Sequence, residues 1–300
     1  MCLIKNTKKM EVALSHLLVP VDFSDKSVFG LKYAVKLNKV LKGKITFINV
    51  IKGVDPIWSE FFTDVEREIL LKKLKEHLCS FVTKNSDLSV ADFDCMIAKG
   101  KLCDTIMQTA ESINASAIVM GTSHADNIKK KIIGTNALRV VSESKCPVIT
   151  IKSEPSSAPI KRLILPLDIS KETREKVVDT VDIAQKLDAE ILVVSAYTFD
   201  DELIFKKLQQ QQNQVVKYIT DRGIKCSGQL LKVDDQVDGV LNFIDAQKGD
   251  MVIITTHQQL EIVTSFIGSF AKSIVSKAKV PVMSIVPRNK YNVIFKIPAC

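Results

Sequence analysis

Short, continuously apolar runs alternate with longer amphipathic segments along the whole of this chain. Runs such as Ala117-Ile-Val-Met120 and Met251-Val-Ile-Ile254 lack polar alternation. That is the pattern of strands covered by helices on both faces. It predicts strands near 16–21, 44–51, 90–98, 116–122 and 147–151, with helices near 25–41, 60–85, 102–113 and 134–144. A second set of strands follows near 162–167, 189–196, 223–232, 250–256 and 281–286. Alternating strand and helix imply right-handed crossovers and a parallel sheet. The expected fold class is α/β: two tandem, five-stranded, doubly wound, Rossmann-like domains, each with strand order 3-2-1-4-5.

The two sets are copies of one unit. His16-Leu-Leu-Val-Pro-Val-Asp-Phe-Ser24 aligns with Arg162-Leu-Ile-Leu-Pro-Leu-Asp-Ile-Ser170 at an offset of 146. Gly134-Thr135 and Pro147-Val-Ile-Thr-Ile151 align with Gly268-Ser269 and Pro281-Val-Met-Ser-Ile285 at an offset of 134. The first copy therefore has 12 extra residues, expected after its second strand within about Lys52 to Glu68. Ser153-Glu-Pro-Ser-Ser-Ala-Pro159 has linker chemistry. The expected division is a first domain over 1–152, a second over 160–288 and a tail over 289–300.

Composition narrows the class. Of 300 residues 46% are hydrophobic and 25% charged, enough apolar material for packed cores. No apolar run approaches the ~18 residues of a membrane span. Met1 to Val12 does not read as a secretory signal. Seven scattered cysteines without a C-x-x-C pair fit neither a disulfide framework nor a zinc site, and the expectation is a cytoplasmic protein. Of the net charge of +8, residues 1–152 carry +7. Only Lys129-Lys130-Lys131 is clustered, and aromatics are just 6%, which argues against a nucleic-acid partner. His16, His77, His124 and His257 have no metal-ligand spacing. Cys103, near a helix start, has two readings: a thiol activated by the helix dipole, or a buried structural cysteine.

In a doubly wound sheet, ligands bind beyond the carboxyl ends of the strands where the strand order reverses, here between strands one and four. Strand one ends in Pro20-Val21-Asp22, whose carboxylate can accept hydrogen bonds from a base amino group or a ribose hydroxyl. Strand four runs into Met120-Gly121-Thr122-Ser123-His124, and the next helix opens with Gly134-Thr135-Asn136. Free amides, a hydroxyl and the positive end of the helix suit a phosphate. A turn or a helix cap explains each glycine singly; their shared place favours a nucleotide site.

Leu17-Leu-Val-Pro-Val-Asp-Phe-Ser24, Ile118-Val-Met-Gly-Thr122, Gly134-Thr135 and Pro147-Val-Ile-Thr-Ile151 resemble a tandem-domain universal stress protein, over about residues 13–287. ATP-binding members of that family carry G-x2-G-x9-G-[S/T] after strand four. The first copy reads Gly121-x2-His124-x9-Gly134-Thr135, with histidine for the middle glycine. The second reads Thr255-x2-Gln258-x9-Gly268-Ser269, and Asp234 stands opposite Gly100. The resemblance implies adenine and ribose beside Pro20, Val21, Asp22 and Val50. It implies phosphates against Met120, Gly121, Gly134, Thr135 and Asn136, with Gly100 and His124 as further candidate contacts. His124 either obstructs the turn or donates a hydrogen bond to a phosphate. Asp168 in the second copy reads as a helix cap before it reads as a ligand contact.

The implied function is a stress-response regulatory binding protein, not an enzyme. It would take ATP or another adenine nucleotide, with or without Mg, in its first domain, and the second domain would be mainly structural. Two alternatives stay open: an ATP-hydrolysing or phosphoryl-transferring enzyme, for which Asp126 is the nearby acid, and a nucleotide-free protein-interaction scaffold. No catalytic and no metal-ligating residue is assigned. The last strands of the copies are expected to pair antiparallel into an intramolecular pseudo-dimer. Further homodimerisation and an unknown protein partner are open, and no membrane association is expected. The loop Gly53–Phe62, with Trp58, has three readings: a staple to its own domain, a lid over the adenine site, or an anchor for a partner.

Overall fold

The apolar runs become strands, and Ser24, Thr63, Asp201 and Asp235 cap four of the helices between them. The computed structural model describes residues 14–52, 62–122, 134–168, 172–256 and 268–286. Trp58 and its loop up to residue 61, His124, Asp126, His257 and the tail over 289–300 lie outside the described residues.

The first half runs β1 (His16–Pro20), α1 (Asp25–Leu41), β2 (Lys44–Ile51), α2 (Asp64–Lys84), β3 (Asp94–Lys99), α3 (Leu102–Ser112), β4 (Ala117–Gly121), α4 (Thr135–Glu143) and β5 (Val148–Ile151). The second runs β6 (Arg162–Pro166), α5 (Glu172–Leu187), β7 (Glu190–Tyr197), α6 (Glu202–Thr220), β8 (Cys226–Lys232), α7 (Gln236–Ala246), β9 (Met251–Thr255), α8 (Ser269–Lys277) and β10 (Val282–Ile285). Thr63 caps α2 in a reciprocal capping box with Glu66. The third strand starts later than its apolar pattern suggests. Ser89 and Asp92 form a second capping box that winds Val90–Asp92 into a 3-10 turn, and the ladder begins only at Asp94. Strand β8 is likewise delayed, because Gly223 turns at φ +77°.

All ten strands lie in one sheet, ordered β3-β2-β1-β4-β5-β10-β9-β6-β7-β8. Each half has the expected order 3-2-1-4-5 and is parallel throughout. The halves meet where β10 pairs antiparallel with β5, with Val282 opposite Thr150, Met283 opposite Ile149 and Ser284 opposite Val148. Without that pairing each half would end in an open hydrophobic edge. Helices cover both faces, and each of the two core layers runs across the seam: Val19, Ile149, Met283 and Leu165 lie in one, and Ile118, Val148, Val282 and Ile164 in the other. Polar contacts tie the halves further. Lys152 Nζ donates to the Ala278 carbonyl at the end of α8 (3.0 Å), and Lys36 of α1 donates to the Ser156 carbonyl in the linker (2.8 Å). No helix among the described residues is long and apolar enough to cross a membrane.

Ile149 and Met283 are both fully buried at the seam. Ile149→Ala should cost about 2–5 kcal/mol in urea unfolding, by lost burial and the cavity left behind. Because the seam couples the halves, hydrogen exchange should rise in β6 as well as in β1. Acceleration confined to the first half would show that the halves are energetically independent.

Candidate functional site

At the switch point of the first half, the ends of β1, β2 and β4 and the start of α4 enclose a cleft of about 230 Å³. Pro20, Val21 and Asp22 line it from β1, Val50 from β2, Met120 and Gly121 from β4, and Gly134, Thr135 and Asn136 from α4. Thus residues up to 116 positions apart in the sequence come together on one rim. Gly100 does not line the cleft, and His124 is outside the described residues.

Asp22 is held by the turn that follows it. Phe23 adopts φ +64°, an uncommon conformation for a bulky residue, and its ring packs against His77 (4.9 Å between centroids) and Phe81 (5.3 Å). The turn brings the Ser24 amide (3.1 Å) and hydroxyl (2.6 Å) onto Asp22 Oδ1, while Ser24 caps α1 by accepting from the Ser27 amide. Desolvation would raise the Asp22 pKa, but hydrogen bonds from Ser24 and Ser27 outweigh it and hold the carboxyl below its ordinary value. The group is therefore an ionised acceptor at neutral pH.

The floor contains a residue that sequence reasoning did not single out. Asn49, buried in β2, donates from its side chain to the Val21 carbonyl (2.7 Å), and the Val21 amide donates to the Ile48 carbonyl (2.8 Å). An incoming base would meet a Val21 carbonyl with only one lone pair left. The available signal was a polar residue interrupting an apolar strand in both copies, since Ser195 takes the place of Asn49. Lys26, in the first turn of α1, also lines the cleft and supplies a cation; its sequence counterpart is Glu172. Opposite, α4 starts at Gly134 with no side-chain cap, so its first-turn amides and positive end are available to an anion.

Gly121, at the end of β4, and Gly100, just after β3, have reasons of their own. A Cβ on Gly121 would lie 1.7 Å from the Lys26 carbonyl oxygen, and one on Gly30 would lie 2.6 Å from the Gly121 nitrogen. The backbones of α1 and β4 therefore touch through a glycine pair, and this packing accounts for Gly121 without any ligand. Gly100 has φ +150°, and a Cβ there would meet Thr105 Oγ1 at 2.5 Å. Cys103 is buried, with its Sγ against the Asn136 carbonyl (3.6 Å), and burial pushes its thiol pKa up. Of the two readings of this cysteine, its burial and raised pKa favour the structural one.

The second half departs at the same places. Its cleft, at the ends of β6, β7 and β9, has a volume of only about 90 Å³. Phe270 stands where the first copy has Asn136, and the glycine pair is replaced by Lys176 and Thr255. Lys176 is 4% exposed. Burial pulls its pKa down to about 8, against a smaller upward pull from Asp168. Asp168 lies exposed on the rim, with its carbonyl accepting from Gln211 (3.1 Å). The helix start it was expected to cap falls at residues 169–171, outside the described residues.

A family model described as the universal stress protein family matches residues 14–152 and again 159–285. A universal stress protein of Methanocaldococcus jannaschii is 27% identical over 139 residues, 45% of this chain and 81% of that protein. Among solved structures, a universal stress protein from Archaeoglobus fulgidus shares the fold over 92% of this chain and 99% of its own, with a TM-score of 0.69 at 17% identity. A further Archaeoglobus fulgidus universal stress protein, solved in complex with dAMP, covers 43% of this chain and 99% of its own, at 16% identity and a TM-score of 0.36.

Two outcomes follow from the glycine pair and its replacement. Gly121→Ala should destabilise the chain by roughly 1–3 kcal/mol or more through overpacking, and by the same amount with or without nucleotide in a denaturant titration. For Lys176, the unfolded chain binds a proton that the folded chain lacks between pH 8 and 10.5, so this residue's own contribution to stability rises with pH across that window, opposite in sign to that of the buried thiols, whose pKa values are raised. The stability of Lys176→Met relative to the parent should therefore be greatest below pH 8, on the order of 3 kcal/mol in favour of the variant, and shrink towards pH 10.5.

Proposed function

The chain belongs to the universal stress protein family, and from that premise we propose that it is a non-catalytic regulatory protein binding one adenine nucleotide, ATP in the first instance, in its first domain. The observation that carries this reading is the meeting of opposite chemistries in one cleft. An ionised acceptor, Asp22, lies at one side and the uncapped start of α4 at the other, with the apolar walls of Val50, Ile106 and Met120 between them. Asp22 would accept from the ribose or base, the walls would hold the adenine ring, and the Gly134–Asn136 amides with Lys26 would face phosphate. Asp22 is committed to Ser24 and Ser27, so it suits binding and orientation better than proton transfer.

The second domain, with its smaller cleft and a phenylalanine for Asn136, keeps the fold and takes no nucleotide. We further propose that the units are 1–152 and 160–288 with a tail over 289–300, and that the protein works in the cytoplasm through a protein partner.

Calorimetry with ATP, with and without Mg, should give one site per chain. Asp22→Ala should weaken binding about tenfold, as expected for the loss of a hydrogen bond to a charged group. Asp168→Ala should leave binding unchanged, and phosphate release should stay at the level of the blank. Two equal sites, turnover that depends on Asp22, or no heat at millimolar ATP would each overturn this reading, the last in favour of a nucleotide-free scaffold.

A further inference from the structure

The smaller cleft of the second half holds a buried ammonium with no ion-pair partner among the described residues. The Lys176 side chain, on α5, lines the cavity, and its ammonium makes neither hydrogen bond nor ion pair to a described residue. Among the described residues, the charged groups near it are Asp168, which follows β6, lines the same cavity and acts on the ammonium electrostatically, and Asp179, buried three residues further along α5. From the other elements the side chains that face it are neutral: Gln236 of α7, Thr255 of β9 and Phe270 of α8. A buried ammonium in this position is costly, and an anion placed against it would recover much of the lost solvation.

A second feature points into the same space. Helix α8 begins at Gly268 without a side-chain cap, and Phe270 and Ala271 of its first turn line the cavity. Its positive end and the ammonium thus converge on one small volume. The rest of the lining, including Leu167, Val194, Val240 and Ile254, is apolar. At about 90 Å³ against 230 Å³ in the first half, the space is too small for a nucleotide. With one ammonium inside, the Asp168 carboxylate at the rim and mostly apolar walls, the space suits a monoanion with a short alkyl tail better than a fully hydrated phosphate of higher charge.

We propose that the second half is a binding site for a short aliphatic carboxylate, its carboxylate group held by Lys176 at the start of α8 and its tail against Val240 and Phe270. This chain would then carry two different ligand sites on one duplicated fold. The proposal does not depend on nucleotide binding in the first half.

Butyrate and inorganic phosphate are the probes, titrated into the full chain by calorimetry and by thermal unfolding. Butyrate should bind at one site and raise the melting temperature in a concentration-dependent way, with ATP present or absent. Because the ligand needs the protonated amine, affinity should fall about tenfold per pH unit above pH 8. Asp168→Asn should tighten binding severalfold by removing negative charge from the rim. Lys176→Met, which should fold at least as stably as the parent, should abolish the butyrate effect. No response to butyrate, an equal response in Lys176→Met, or phosphate binding as well as butyrate would overturn the assignment.

Discussion

The antiparallel pairing of β5 with β10 is the contact on which the rest of this molecule depends. A five-stranded parallel sheet of this order has its last strand at an edge, continuously apolar and with unpaired backbone groups. Joining the two such edges of one chain removes both at once and lets each core layer run the length of a ten-stranded sheet. The same operation reverses the strand direction, so the carboxyl ends of the two halves face opposite ways. The two clefts are consequently separate sites that share no wall, and each can change without disturbing the other.

That independence is visible in how the copies have diverged. In the first half, α1 lies directly on β4 through Gly30 and Gly121, so no side chain separates the two backbones there. In the second, Lys176 and Thr255 occupy those positions, and the space beneath α5 is taken by a lysine side chain. Together with Phe270 for Asn136, this leaves a smaller cavity with a buried lysine in it. Side chains around the switch point differ between the copies, while the strand order stays the same. Fold and site are separable here because the switch point lies outside the sheet's hydrogen-bond ladders.

Not every feature of a binding motif reports binding. Gly121 belongs to the pattern of ATP-binding relatives, yet its missing side chain is required by the α1 backbone 1.7 Å from where a Cβ would sit. Asp22, by contrast, is exposed and has no packing role. It is kept ionised by a turn in which Phe23 adopts a left-handed conformation stabilised by its contacts with His77 and Phe81. The stronger argument for a ligand in the first half therefore rests on Asp22 and the uncapped start of α4, and less on the glycines.

Alternating apolar runs and amphipathic segments, repeated in two copies, were enough to determine the two α/β units and their parallel sheets, whereas the strand order 3-2-1-4-5 was an assumption that the structure bears out. Those features follow from local periodicity and from the handedness of crossovers, which every residue of an element helps to encode. Strand ends shifted where capping chemistry competed with apolar pattern, as at Ser89–Asp92. The rim residues Asp22, Gly134 and Thr135 were legible too, because topology alone says where strand ends and helix starts must gather. Asn49, Lys26 and Lys176 were not. Each sits in an element whose pattern is otherwise ordinary, and its setting comes from what faces it across the fold: the Val21 carbonyl, the rim of the first cleft, or the cavity of the second. Burial and partnership are properties of pairs of elements far apart in the chain, so only the tertiary structure decides them.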